Sequence, residues 1–163
     1  MRATTEFESL LAYLEETPAT IQQMASGLTD EDRRWKPSGG EFSVLENVCH
    51  LLDIEREGYA VRIKRLLAED APVLQDIDGS RLARERDYNS QSLEMAMEAF
   101  SRARLDNVRV VKSLSAEQLG RGGTLETVGP ITMGRLLVMM RAHDEAHRQE
   151  LTELRRQLLD SRA

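Results

Sequence analysis

A single cysteine, Cys49, leaves this chain without a partner for an internal disulfide, which fits a reducing compartment and excludes a disulfide-stapled scaffold. Long apolar runs are also missing. The longest, Leu136 to Met140, is far short of the roughly 18 residues a membrane span requires, so no membrane helix is expected. The opening MRATTEFESLL lacks the basic-then-apolar pattern of a secretory signal, and a cytoplasmic protein is the expectation. Excess positive charge is absent too. With a formal net charge of −6, the sequence offers no basic stripe to displace counterions from phosphates, which argues against a nucleic-acid partner. Internal repeats, low-complexity tracts and linkers are lacking, so residues 1–163 read as one domain.

What the chain does have is helical periodicity. Apolar residues make up 40% of it, sufficient for a core, and they recur at three- and four-residue steps in four long stretches. The first, about Thr4 to Ser26, carries Phe7, Leu10, Leu11, Leu14, Ile21 and Met24 on one face. Pro18 should kink it or make the helix begin again, and Gly27 should close it. A polar piece, LTDEDRRW, and the breakers of KPSGGE then read as a connecting loop.

Ser43 followed by Glu46 is a capping-box pattern that starts a second helix reaching about Ala68, with Phe42 placed as a hydrophobic staple. From Glu69 to Ser90 the periodicity dissolves around Pro72 and Gly79, apart from a helical turn near Arg81 to Glu85. That connection is long enough to return along a whole helix, so helices two and three can run parallel. Helix three covers about Gln91 to Leu114. Ser115 with Gln118 marks a brief turn, the glycines from Gly120 to Gly129 a loop or small hairpin, and Thr132 the cap of a last helix reaching Leu159. Four core-facing stripes argue for an all-α four-helix bundle.

The last helix carries the chemistry. Leu136, Met140, His143, His147, Leu151, Leu154 and Leu158 share one face, so two histidines one turn apart point inward. The remaining histidine, His50, lies inside helix two. Three imidazoles buried without a ligand would leave several ring nitrogens to satisfy in a core, whereas a metal ion takes one nitrogen from each. His50, His143 and His147 are therefore the candidate metal ligands. A zinc-protease H-E-x-x-H motif is excluded because Asp144 follows His143, and a di-iron Glu-x-x-His pattern because Asn47, Met140 and Asp144 stand three before the histidines. Cys49 reads as a small core residue.

Glu57 and Glu150 fall near the histidine faces by helical spacing and are candidate catalytic bases or partners of a ligand's free N–H, with a solvated acid as the plain alternative. Arg148 follows His147 and is a candidate for binding a carboxylate of a ligand, against the alternative of a surface salt bridge. Trp35 and Tyr88 are placed to cover the bundle end or line a pocket. Tyr13 and Val110 are apolar residues on outer faces, candidates for a two-fold interface.

The run RWKPSGGEFSVLENVCHLLDIEREGY, followed by ITMGRLLVMMRAHDEAHRQEL, resembles the DinB-like metal-binding bundle superfamily (DinB/YfiT), whose members carry one histidine in helix two and a His-x-x-x-His pair in helix four. The likeness spans nearly the whole chain. Members often have tryptophan ahead of the helix-two serine, where this chain has Phe42. The resemblance implies an up-down-down-up bundle with a long crossover between helices two and three, a divalent metal held by His50, His143 and His147, and homodimers. Relatives include thiol-dependent transferases, suspected hydrolases and many with no assigned reaction. The resemblance implies a metal-dependent transferase, with a low-molecular-weight thiol as cofactor whose carboxylate Arg148 would bind, or a hydrolase, on a small-molecule substrate. The alternative is a non-catalytic metal-binding or stress-related bundle. The ion's identity is not readable from imidazoles, which leaves zinc, nickel, iron or manganese open, with copper also suited to such ligands.

Overall fold

A computed structural model describes residues 2–162. Its long helices are α1 (Arg2–Ala25), a second helix built from α3 (Val44–Asp53), a π-helical segment (Ile54–Tyr59) and α4 (Ala60–Ala68), then α6 (Leu93–Lys112) and α8 (Met133–Asp160). Together they make a four-helix bundle. Short elements fill the connections: α2 (Asp30–Arg34), β1 (Val73–Leu74), α5 (Gly79–Glu85), a 3₁₀ turn (Tyr88–Ser90), α7 (Ala116–Leu119), β2 (Gly122–Leu125) and β3 (Gly129–Thr132).

The expected caps form. Ser43 and Glu46 close a reciprocal capping box, as do Ser115 and Gln118, and Thr132 accepts from the Arg135 amide. Two expectations need correction. LTDEDRRW is not simply loop, because Thr29 and Asp32 form a capping box of their own and nucleate α2. The helix does not begin again at Pro18, since α1 is continuous. Proline removes the donor that would have reached the Leu14 carbonyl, and the Arg104 side chain donates to that carbonyl instead, at 2.9 Å. The π-helical segment has a similar substitute partner: Asn107 donates to the Glu55 backbone carbonyl at 3.3 Å and to its carboxylate at 3.0 Å.

The glycine-rich approach to α8 is the hairpin β2–β3, antiparallel with Leu125 opposite Gly129. A strand not expected from the sequence, β1, joins it in parallel, with Val73 opposite Thr124. Gly123 permits this, since a Cβ there would stand 2.7 Å from the Pro72 carbonyl oxygen.

Two apolar clusters form the core. One gathers Ile21 and Ala25, Val44 to Leu52, Leu93 to Phe100, and Leu151 to Leu158. The other gathers Leu10 and Leu14, Ile54 to Leu66, Val108 and Val111, and Met133 to Met140. Buried polar residues stand near the junction of the two clusters on each helix: Thr17 on α1, Glu55 beside Ile54 on the π-helical segment, Arg104 and Asn107 on α6, and Asp144 on α8. Arg104 pairs there with both acids, at 2.8 Å to Glu55 and 2.6 Å to Asp144, while the Thr17 hydroxyl donates to Asp144 at 2.7 Å. Burial alone would lower the pKa of Arg104, but the charges of Glu55 and Asp144 outweigh it and hold the guanidinium protonated.

Candidate metal centre

His50 from α3 and His143 and His147 from α8 come together at this polar level. The Nε2 atoms of His50 and His143 stand 3.1 Å apart, and one ring nitrogen from each of the three lies within 4.8 Å of the other two. Two nitrogens each about 2.0–2.1 Å from a tetrahedral ion would be separated by about 3.4 Å, so the cluster is close to the spacing a single ion requires.

Burial holds all three rings neutral, which is the form that ligates. It lowers the pKa of His50 to about 4 with help from His147, and that of His143 to about 2 with help from His147, His50, Arg104 and Arg62. His147 is also lowered by burial, opposed by the Asp144 charge. Its Nδ1 donates to the Asn47 side-chain oxygen at 2.7 Å, which leaves Nε2 without a proton and free to bind an ion. Asn47 is fixed in turn, donating to the Ser43 carbonyl at 3.0 Å. His50 lacks such an arrangement, for its Nδ1 is buried without a hydrogen-bond partner.

The cluster opens into a cavity of about 460 Å³ lined by Gly40, Glu41, Phe42, His50, Ile77, Asp78, Gly79, Ser80, His147 and Glu150. Its charged rim is entirely acidic. Of the residues expected at the site, Glu150 is there, with a carboxylate oxygen 3.5 Å from His147 Nδ1. Burial raises its pKa, the charge of Glu41 adds to this, and a hydrogen bond from Asn47 opposes it.

Glu57 and Arg148 are not brought to this cavity. Glu57 is exposed and forms a bidentate pair with Arg86, which lowers its pKa, and it lines a separate cavity with Arg62, Arg65 and Arg81. Arg148 lies against α1, its guanidinium 3.9 Å from the centroid of the Tyr13 ring and donating to the Tyr13 carbonyl and the Thr17 hydroxyl. Cys49 is buried beside Tyr88, and burial pushes its thiol up to about 12, so it is a core group. Tyr88 is buried with its hydroxyl on Asp53, whereas Trp35 is partly exposed.

Sequence reasoning missed Asn47 as a partner of His147, although it stands one turn before His50 on the same face. It also missed Glu41, Asp78 and Gly79, which no helical period marks.

A model of the DinB superfamily matches residues 13–151. YfiT of Bacillus subtilis (strain 168) is 27% identical over 153 residues, covering 91% of this chain and 83% of its own. A solved structure of YfiT, described as a probable metal-dependent hydrolase with an unusual four-helix bundle topology, superposes with a TM-score of 0.86 at 24% identity, over 93% of this chain and 87% of the other. The last comparison shows the fold alone; the family match extends over most of the sequence, and this chain belongs to the DinB superfamily.

Proposed function

We propose that this protein is a metal-dependent hydrolase of a small molecule, with His50, His143 and His147 as the ligands of one divalent ion. The observation that carries the proposal is the convergence of three neutral imidazoles, 3.1 Å apart at the closest pair, two of which, His50 and His147, line a cavity. The description of YfiT supports the same chemistry. When bound, such an ion supplies Lewis acidity to a water or thiol near neutral pH.

The chain's own residues would do the rest. Asn47 holds His147 in the tautomer that presents Nε2. Glu150 carries a carboxyl with a raised pKa at the rim, suited to accept and hold a proton closer to neutral pH than an ordinary glutamate. The thiol-dependent transferase is the less favoured reading. Arg148, the expected anchor for a thiol's carboxylate, is stacked on Tyr13, and the charged residues around the cavity are Glu41, Asp78 and Glu150.

We also infer the up-down-down-up order with the long crossover, in one domain. It is supported by the clusters, in which the ends of α1 and α8 meet the starts of α3 and α6. We further propose a cytoplasmic homodimer, the compartment supported by the single cysteine and the dimer by the resemblance and by apolar residues on outer helix faces. No described helix is long and apolar enough to cross a membrane, Tyr13 is covered by Arg141 and Arg148, and Val110 is exposed. Light scattering would test the dimer.

The test of function is elemental analysis of protein purified without added metal, followed by screening ester and amide hydrolysis with and without low-molecular-weight thiols. Hydrolysis that a chelator removes and an added ion restores is the expected result. Turnover only with a thiol present selects the transferase, and protein that cannot take up one equivalent of any divalent ion overturns the metal reading.

A further inference from the structure

Resting on the reading of the three histidines as a metal centre, we propose that Gly79 is a positioning residue for it: the bare backbone at Gly79 seats the His50 imidazole so that its Nε2 faces the other two histidines. His147 is oriented by a hydrogen bond from its far nitrogen to Asn47 at 2.7 Å, whereas the far nitrogen of His50, Nδ1, is buried with no partner. Packing must therefore do for His50 what Asn47 does for His147. The atoms that do it belong to Gly79. A Cβ built on that residue would stand 2.7 Å from Cε1 and 2.8 Å from Nδ1 of His50, well inside van der Waals contact. The Phe42 ring also packs against His50, with centroids 5.4 Å apart.

Backbone conformation does not call for glycine at this position. Among the described residues the glycines with positive φ are Gly27 and Gly129. Gly79 is the first residue of α5, capped by Asp78, whose carboxylate accepts from the Arg81 amide at 3.0 Å. Alanine would suit that helical position better by propensity, so clearance from His50 is what a side chain would violate.

The segment that leads into Gly79 is tied down. β1 pairs with β2, Arg62 donates to the Gln75 carbonyl at 3.0 Å, the Asp76 amide donates to Glu126 at 3.0 Å, and the Thr127 hydroxyl meets the Asp76 carboxylate. Ile77 packs against both core clusters. With the backbone held, an added methyl is relieved most readily by rotation of the imidazole, the free end of a flexible side chain. That rotation takes Nε2 away from His143 Nε2, now 3.1 Å distant.

The experiment is titration of apo wild type and Gly79→Ala with cobalt(II), read by its visible absorption, with circular dichroism of both apo proteins. Gly79→Ala is expected to keep its helical signal, weaken cobalt binding about tenfold or more, as changes behind a metal ligand do, and alter the absorption band. Wild-type affinity and spectrum in Gly79→Ala would overturn the proposal. In the His50→Ala background, adding Gly79→Ala should change residual cobalt binding by less than about twofold, and a further large loss would show that Gly79 acts elsewhere. If the wild type takes up neither cobalt nor any other divalent ion, the metal reading itself fails, and Gly79 is judged by the ¹⁵N imidazole resonances of His50 in the apo proteins: displaced in Gly79→Ala as expected, or unchanged and the proposal overturned. Should Gly79→Ala lose its helical signal, the double variant with His50→Ala must regain it, because the ring that the methyl strikes is gone; failure to regain it overturns the proposal.

Discussion

Arg104 on α6 donates to the Leu14 carbonyl of α1 at 2.9 Å, filling the acceptor that Pro18 leaves open one turn later in the same helix. A helix-breaking residue is thus accommodated by a buried cation, which also joins Glu55 and Asp144.

Arg104→Ala is expected to destabilise the fold by about 3–5 kcal/mol, because it leaves two buried carboxylates without their cation and the Leu14 carbonyl without its side-chain donor. Urea denaturation measures it. A loss below about 1 kcal/mol would show that the pair contributes little to stability.

Asn47→Ala should weaken metal binding by roughly 10–100-fold while His147 stays in place, since it removes the acceptor that fixes the tautomer. Competition with a chelator of known affinity reads this directly. Unchanged affinity would mean that His147 is oriented by other contacts.

Glu150→Gln and Glu57→Gln should separate cleanly. Glu150 lines the histidine cavity and Glu57 is held by Arg86 elsewhere, so only the first substitution should lower turnover, with metal content unchanged in both. Loss of turnover in Glu57→Gln alone would reverse the assignment.

The apo protein should lose stability as pH falls below about 6.5. Folding holds His50 near 4 and His143 near 2, so below 6.5 the unfolded chain binds protons that the folded chain does not. This stability is fully present above the unfolded pKa and declines as pH drops toward the folded values, on the order of 1–2 kcal/mol per histidine at pH 5. Urea midpoints at pH 7.5 and pH 5 test it, with His143→Leu expected to flatten the slope; equal slopes in the two proteins would count against it.

How far the sequence could be read follows from the range of the forces involved. Helix stripes and caps are set by neighbours three or four residues away, so Ser43 with Glu46, Ser115 with Gln118 and the cap at Thr132 were all legible, as was the inward pairing of His143 with His147 one turn apart. The same local rule made Asn47 readable as a neighbour of His50, though not as the partner of His147. Spacing placed Glu57 and Arg148 near the histidines because it gives an angle around one helix and says nothing of competing partners. Arg86 comes 29 residues after Glu57, and Tyr13 lies 135 before Arg148.

Only tertiary packing could make those choices. It brings Arg104 to the carbonyl freed by Pro18, where local chemistry left a kink and a restart equally open and α1 runs on as one helix. It also lays an aperiodic strap across His50 so closely that Gly79 has no room for a methyl group. The sequence by itself determined which residues face inward and which imidazoles were available. The fold decided which polar groups found one another, because a buried donor or acceptor is satisfied by whichever partner the packed helices bring within about 3 Å.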